Sequence, residues 1–191
     1  MKADFKEDIF KCIEVLESGG IILYPTDTVW GLGCDATNPE AIQKIYTLKK
    51  RPETKSMILL AEDENMINQY VDISIEKLTN LLNSFSKPTT VIYNDPKGLP
   101  DNLIASEKTI AFRIPKDPFC NELLNLYKRP IVSTSANLSG EDTPIIFSEI
   151  KETIKNGVDF IVQHRSNEVT PAQPSTLISV NKDWTFNILR N

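Results

Sequence analysis

The chain has 191 residues, 40% of them hydrophobic and 25% charged, with a formal net charge of −5. That length makes one domain the default and is enough to remove roughly 70% of the unfolded surface from water. The acidic balance argues against a dedicated nucleic-acid coat. No apolar run approaches the roughly 18 residues of a membrane helix, and the start, MKADFKEDIF, has no apolar signal core, so a cytoplasmic protein without membrane contact is expected.

Residues 6–18 read as a helix, with Ile9, Ile13 and Leu16 at helical spacing and Gly19-Gly20 as its stop. Ile21–Tyr24 is a short apolar strand running into Pro25. Asn38-Pro39 starts a helix, Asn as cap and Pro in the first turn, with Ile42, Ile45 and Tyr46 as its apolar face. It ends near Lys49-Lys50-Arg51, before Pro52. Ser56–Ala61 reads as a buried strand, followed by helices near 63–70 and 74–83, the second capped by Ser74. Thr89–Tyr93 and Thr109–Ile114 read as strands. Asp117-Pro118 opens a helix that turns Phe119, Leu123 and Leu126 inward. Ile131–Ser135 is a strand, Ser148 caps a helix through Ile154, and Phe160–Val162 is a strand. The polar, two-proline stretch 163–174 reads as a mobile flap, and Ser175–Val180 with Trp184–Leu189 as a closing hairpin around Asn181-Lys182. Strands and helices alternate without strict βαβ rhythm, which points to an α/β fold with a mixed sheet.

Cys12, Cys34 and Cys120 are far apart with no C-x-x-C, so neither a zinc site nor a disulfide framework is expected. Cys12 falls on an apolar stripe, and Cys34 lies close enough to the first motif to approach a pocket. His164 is the single histidine and reads as a solvated loop residue, which leaves Ser-His-Asp and Cys-His mechanisms without a base. Gly-rich phosphate loops are absent; Gly31-Leu32-Gly33 is only a fragment of one.

Four polar segments stand beside apolar, β-branched runs: YPTDTVWG (24–31), KKRPETKSMILL (49–60), AFRIP (111–115) and STSANLSG (133–140). Strand ends are where loops collect functional groups. Pro25 bars a central strand and puts Thr26, Asp27 and Thr28 in a turn. Lys49, Lys50, Arg51 and Lys55 can complement a helix dipole or neutralise phosphate. Arg113, between Phe112 and Ile114, either faces solvent or points into a cleft, where it needs a carboxylate. The hydroxyls and amide of STSANLSG can present donors to phosphate oxygens. An anion pocket for a nucleotide with an amino acid beside it is the most economical reading.

Taken in order, YPTDTVWGLG, KKRP, AFRIP, TSANLSG and the late PSTLI (174–178) resemble the YrdC/TsaC family of L-threonylcarbamoyladenylate synthases. The resemblance implies a single domain over 1–191, an open, twisted α/β sheet with flanking helices, and a concave positive pocket. It implies synthesis of threonylcarbamoyl-AMP from L-threonine, bicarbonate or CO2 and ATP, with pyrophosphate released and Mg2+ arriving with ATP. The product then feeds threonylcarbamoyladenosine in tRNA through downstream transfer proteins, with tRNA contact a further possibility. The residues implied for threonine are Thr28, Arg113, Ser135, Ser175 and Leu60. Those implied for ATP are Lys49, Arg51, Lys55, Thr109, Asn137, Thr143 and Arg190. Lys55 and Leu60 stand where the family often has Asn and His. SKPTTVIY (86–93) replaces the family's PGPxT, which puts Thr89 and Thr90 in doubt as ligands. No general base is evident; Asp27 is the nearest carboxylate. Two other readings are an RNA-binding module, which the acidic charge disfavours, and a carbamoyl-transfer domain with another acceptor, as in much longer hydrogenase-maturation proteins.

Overall fold

The computed structural model describes residues 5–53, 57–169, 173–181 and 183–191. Helix α1 (Lys6–Glu17) buries Ile9, Cys12, Val15 and Leu16. It leads into β1 (Ile22–Tyr24) and, through the Pro25 turn, into β2 (Gly31–Gly33). Asn38 caps α2 (Pro39–Lys49), its side-chain oxygen accepting from the Glu40 and Ala41 amides, and the helix stops on Lys50 in the left-handed region (φ 50°). Next come β3 (Ile58–Leu60), α3 (Glu64–Asn68), α4 (Ile75–Asn83), β4 (Thr89–Asn94) and β5 (Thr109–Arg113). Asp117 then caps α5 (Pro118–Tyr127), and β6 (Ile131–Ser135), α6 (Glu152–Lys155), β7 (Phe160–Ile161), β8 (Thr176–Val180) and β9 (Phe186–Arg190) complete the chain.

The strands form one open, mixed sheet in the order β7-β1-β2-β6-β3-β5-β4-β8-β9. β1 with β7, β3 with β5 and β4 with β8 are parallel; the other neighbours are antiparallel. Among the described residues no helix is long and apolar enough to cross a membrane.

Alternation across the central strands divides the sheet into two unlike faces. Register partners Val132, Leu59, Phe112, Val91 and Ile178 form an apolar row on one face, each at most 1% exposed. The opposite face carries Gly31 against Ser135, Ser133 against Ile58, and Arg113 against Thr90. Small and hydroxyl side chains leave a hollow there. The glycines of β2 serve the same end: a Cβ on Gly33 would lie 2.7 Å from the Tyr24 ring and 3.0 Å from the Val132 carbonyl.

Several elements differ from the sequence reading. Leu126 is 45% exposed, and Tyr127 with Leu124 takes the inward face of α5. Ser148 caps nothing: 147–149 is a 3-10 turn, Ile150 dips into the core, and α6 starts only after Lys151. The terminal hairpin turns through Trp184 (φ 68°) and β9 begins at Phe186; Lys182 lies outside the described residues. Residues 163–165 are anchored, because the Asp8 carboxylate accepts from the Gln163 and His164 amides. The His164 ring stacks on Phe119 and tilts against Phe5, so it is half-buried rather than solvated.

Gly33→Ala should cost about 1–3 kcal/mol through overpacking against Tyr24 and the Val132 carbonyl, whereas Leu126→Gln should stay within about 0.5 kcal/mol; urea denaturation of the two variants checks both.

Candidate functional site

The turn after β1 is closed by its own hydroxyls. Thr26 Oγ1 accepts from the Thr28 amide (3.0 Å) and donates to the Val29 carbonyl (2.8 Å). With that proton committed, Thr28 is the donor in the 2.9 Å contact between the two hydroxyls. Arg113, at the end of β5, reaches across the sheet to this turn. Its Nη1 donates to Thr28 Oγ1 (3.0 Å), and its Nη2 lies 3.3 Å from Asp27 Oδ1. Both side chains of this ion pair are buried, at 4% and 6% exposed. The Lys116 amide donates to the other Asp27 oxygen (3.0 Å). Asp27, the nearest carboxylate to serve as a base in the sequence reading, is thus held as the counter-ion of Arg113. Arg113 Nε is buried and has no partner.

Beside Arg113, β4 and the start of β8 add a hydroxyl pair, with Thr90 Oγ1 2.8 Å from Ser175 Oγ. Arg190, in β9, donates from Nε and Nη2 to the Ser175 carbonyl (3.1 and 3.0 Å). On the other side, Lys49 is almost wholly buried at the end of α2. Its Nζ donates to the carbonyls of Ser135 and Asn137, the latter at 2.6 Å, and its own carbonyl accepts from the Ser139 amide (2.8 Å). Burial, reinforced by Arg51, pushes Lys49 from the ordinary lysine range down to about 7.

These elements enclose a cleft of about 260 Å³. Thr28, Arg51, Arg113, Ser135, Thr143, Ser175 and Arg190 of the sequence-derived set all line it, with Ser133, Thr134 and Pro174. Three arginines and no carboxylate face it among the described residues, so it is strongly positive. The sequence reading missed the lining by Met57, Ile58 and Val29; β-alternation through SMILLA was the available signal for Ile58.

The structure separates four of the expected ligands from that lining. Leu60 is 1% exposed, paired to Ile131 and Arg113, and belongs to the core. Thr109 stands at the far end of β5, opposite Asn94, four residues before Arg113. Lys49 lies beneath the lining and acts on it through the two carbonyls. Asn137 is folded into its own loop: Oδ1 accepts from Ser135 Oγ and Nδ2 donates to the carbonyls of Leu138 and Glu141. It lines instead a neighbouring hollow of about 170 Å³, which shares Thr143 with the cleft. Lys55 lies outside the described residues. Cys34 is fully buried away from the cleft, and burial pushes its thiol far up. Thr89 caps its own turn at the Lys87 carbonyl. No three His, Cys, Asp or Glu among the described residues gather as metal ligands. Among the described residues the cleft offers a resident Mg2+ no carboxylate.

Residues 14–191 match the Sua5/YciO/YrdC family model, described as "Telomere recombination". A threonylcarbamoyl-AMP synthase of Pseudoalteromonas translucida (strain TAC 125) is 34% identical over 172 residues, covering 88% of this chain and 91% of that protein. Among solved structures, an H234A/Y235A variant of P. abyssi Sua5 superposes with a TM-score of 0.86 at 25% identity, covering 97% of this chain and 56% of the other. The same Sua5 complexed with L-threonine gives 0.83 at 24% identity, covering 97% of this chain and 54% of the other. YciO of E. coli gives 0.83 at 27%, covering 97% and 89%. The chain thus spans about half the length of Sua5 and most of the synthase and of YciO.

Between pH 7 and the ordinary lysine value the unfolded chain keeps a proton that folded Lys49 has released, so this group's contribution to stability rises with pH there; below pH 7 its burial penalty is full. Measured against Lys49→Met, the wild type should gain roughly 1–2 kcal/mol between pH 7 and 9, read from urea midpoints of both proteins at each pH.

Proposed function

The chain belongs to the Sua5/YciO/YrdC family, and we propose that it is a threonylcarbamoyl-AMP synthase, joining L-threonine, bicarbonate or CO2 and ATP with release of pyrophosphate. The observation that carries the reading is Arg113. It is a guanidinium, paired with Asp27 and bonded to Thr28, that lines a cleft rich in cations and hydroxyls. A guanidinium offers a carboxylate strong, charge-assisted hydrogen bonds, and the carboxylate of an amino acid is such a partner.

In this reading Arg113 and Thr28 take the threonine carboxylate, and Ser135 and Ser175 take its remaining polar groups. Arg51 and Arg190 offset the triphosphate charge. The nucleoside extends past Thr143 toward the smaller hollow, because 260 Å³ holds an amino acid and phosphates rather than a whole nucleotide. The threonine amine adds to CO2 to give a carbamate. A carbamate oxygen then attacks the α-phosphorus of ATP, and the bond to the pyrophosphate oxygen breaks. Positioning and charge stabilisation supply the catalysis, with no side-chain nucleophile. The product serves threonylcarbamoyladenosine formation in tRNA through separate transfer proteins, in the cytoplasm.

Pyrophosphate release should require both L-threonine and bicarbonate and fall sharply with L-serine; release independent of threonine, or none from folded protein that binds ATP, overturns the reading. Arg113→Ala should lower threonine-dependent release by about 100-fold, but it strands Asp27 as a buried charge, a cost of about 3–5 kcal/mol. Thr28→Val keeps the ion pair and should raise the threonine KM about tenfold, the scale of one hydrogen bond to a charged group.

A further inference from the structure

Arg165 belongs to none of the segments that build the cleft, yet it touches the turn that does. Its Nη1 donates to the Thr26 carbonyl (3.1 Å) and to Asp117 Oδ2 (2.9 Å). The other Asp117 oxygen caps α5 by accepting from the Cys120 amide (2.9 Å), and Asp117 is 7% exposed. One nitrogen of Arg165 therefore joins the Thr26–Thr28 turn to the start of α5. Lys116, the residue before Asp117, supplies the amide that holds Asp27.

Among the described residues, the turn's other links on this side are the Lys116 amide to Asp27 and Cys120 Sγ to the Pro25 carbonyl at 3.4 Å, a weak donor. Arg165 itself is held from three directions. Its backbone is in the left-handed region (φ 65°), the two preceding amides donate to Asp8 of α1, and the neighbouring His164 ring lies on Phe119 of α5. Its Nε also meets Glu168 at 2.7 Å, but that pair is half in solvent and contributes little. An open groove walled by Phe5, Asp27, Asp117, His164 and Arg165 lies on this back side, so at Asp27 and Asp117 the strut borders open space, while Thr26 and Thr28 are themselves buried.

We infer that Arg165 is a positioning residue for the proposed reaction: from behind the cleft it holds the Thr26–Thr28 turn against Asp117 and so sets the hydroxyl and ion-pair geometry that receives the amino acid. The inference rests on the reading of that turn as the amino-acid end of the cleft. A misplacement of a fraction of an ångström there acts on threonine and leaves the arginines facing ATP in place.

Three variants separate this role from a merely structural one. Only Nη1 serves the Thr26 carbonyl and Asp117, so a lysine ammonium, a point donor, can replace it, whereas methionine cannot. Arg165→Met should raise the threonine KM about tenfold, the scale of one charged hydrogen bond, with the ATP KM within about twofold. It should also speed hydrogen exchange of the Thr28 amide, which is bonded to Thr26 Oγ1, by about tenfold. Arg165→Lys should restore both to within about threefold, and Glu168→Gln should match the wild type. The inference is overturned if Arg165→Met leaves the Thr28 amide and the threonine KM unchanged, or if it alters both KM values and all exchange rates uniformly. If the wild type shows no threonine-dependent turnover, the functional reading falls instead, and the exchange of Thr28 in the Met and Lys variants still decides whether Arg165 holds the turn.

Discussion

A guanidinium and a carboxylate buried together at the junction of two strands constrain most of what surrounds them. Arg113 and Asp27 sit 3.3 Å apart with both side chains almost fully covered. Neither is tolerable there alone, since an unpaired buried charge loses its hydration without return. The pair therefore forces the Pro25 turn against the end of β5, and the remaining polar atoms must be met locally. Thr26 and Thr28 meet part of the guanidinium, and the Lys116 amide meets the second carboxylate oxygen. Arg113 Nε and Asp27 Oδ1 are left without hydrogen-bond partners, but the guanidinium lines the cleft, so the arrangement reads as a site rather than as a staple.

The sheet makes room for this pair by its composition. On the core face large apolar residues pack in register, while on the other face glycine, serine, threonine and alanine leave a hollow into which a few long side chains project. Lys49 shows how the rim is kept open. A buried lysine anchors two carbonyls of the 135–137 loop from below, so that this loop faces the cleft without filling it. The arginines that line the cleft come from three distant parts of the chain, which is how an acidic protein maintains a positive pocket.

The Sua5/YciO/YrdC family covers members that differ in length, and a fold does not fix a function, so the site has to carry the functional argument. Here it does so through charge. Three arginines in the lining, one of them paired with Asp27 behind it, suit a triphosphate and an amino-acid carboxylate together.

The amino-acid sequence determined the local part of this. Apolar periodicity, the caps Asn38, Ser74 and Asp117, and the prolines placed α1, α2, α4 and α5 and most strands to within one or two residues. The polar segments at strand ends hold four of the expected residues that line the cleft, Thr28, Arg51, Arg113 and Ser135, while Thr143, Ser175 and Arg190 came from the family resemblance. These signals are short-range: they arise from backbone sterics and from burial of one face. β2 was illegible because Gly-Leu-Gly has no strand propensity and pairs only through its neighbours. Leu60 and Thr109 lie off the cleft lining, and Asn137 lines the smaller hollow beside it, for a related reason. A motif shows which residues are near one another in sequence, but register and loop folding decide which side chains reach the cleft. Tertiary structure alone turned Asp27 from a possible base into the counter-ion of Arg113, put Lys49 beneath the lining, and brought Arg165 to the back of the Thr26 turn. Each depends on two charged or polar groups far apart in the chain being excluded from water together, a condition that exists only once the sheet has closed over them.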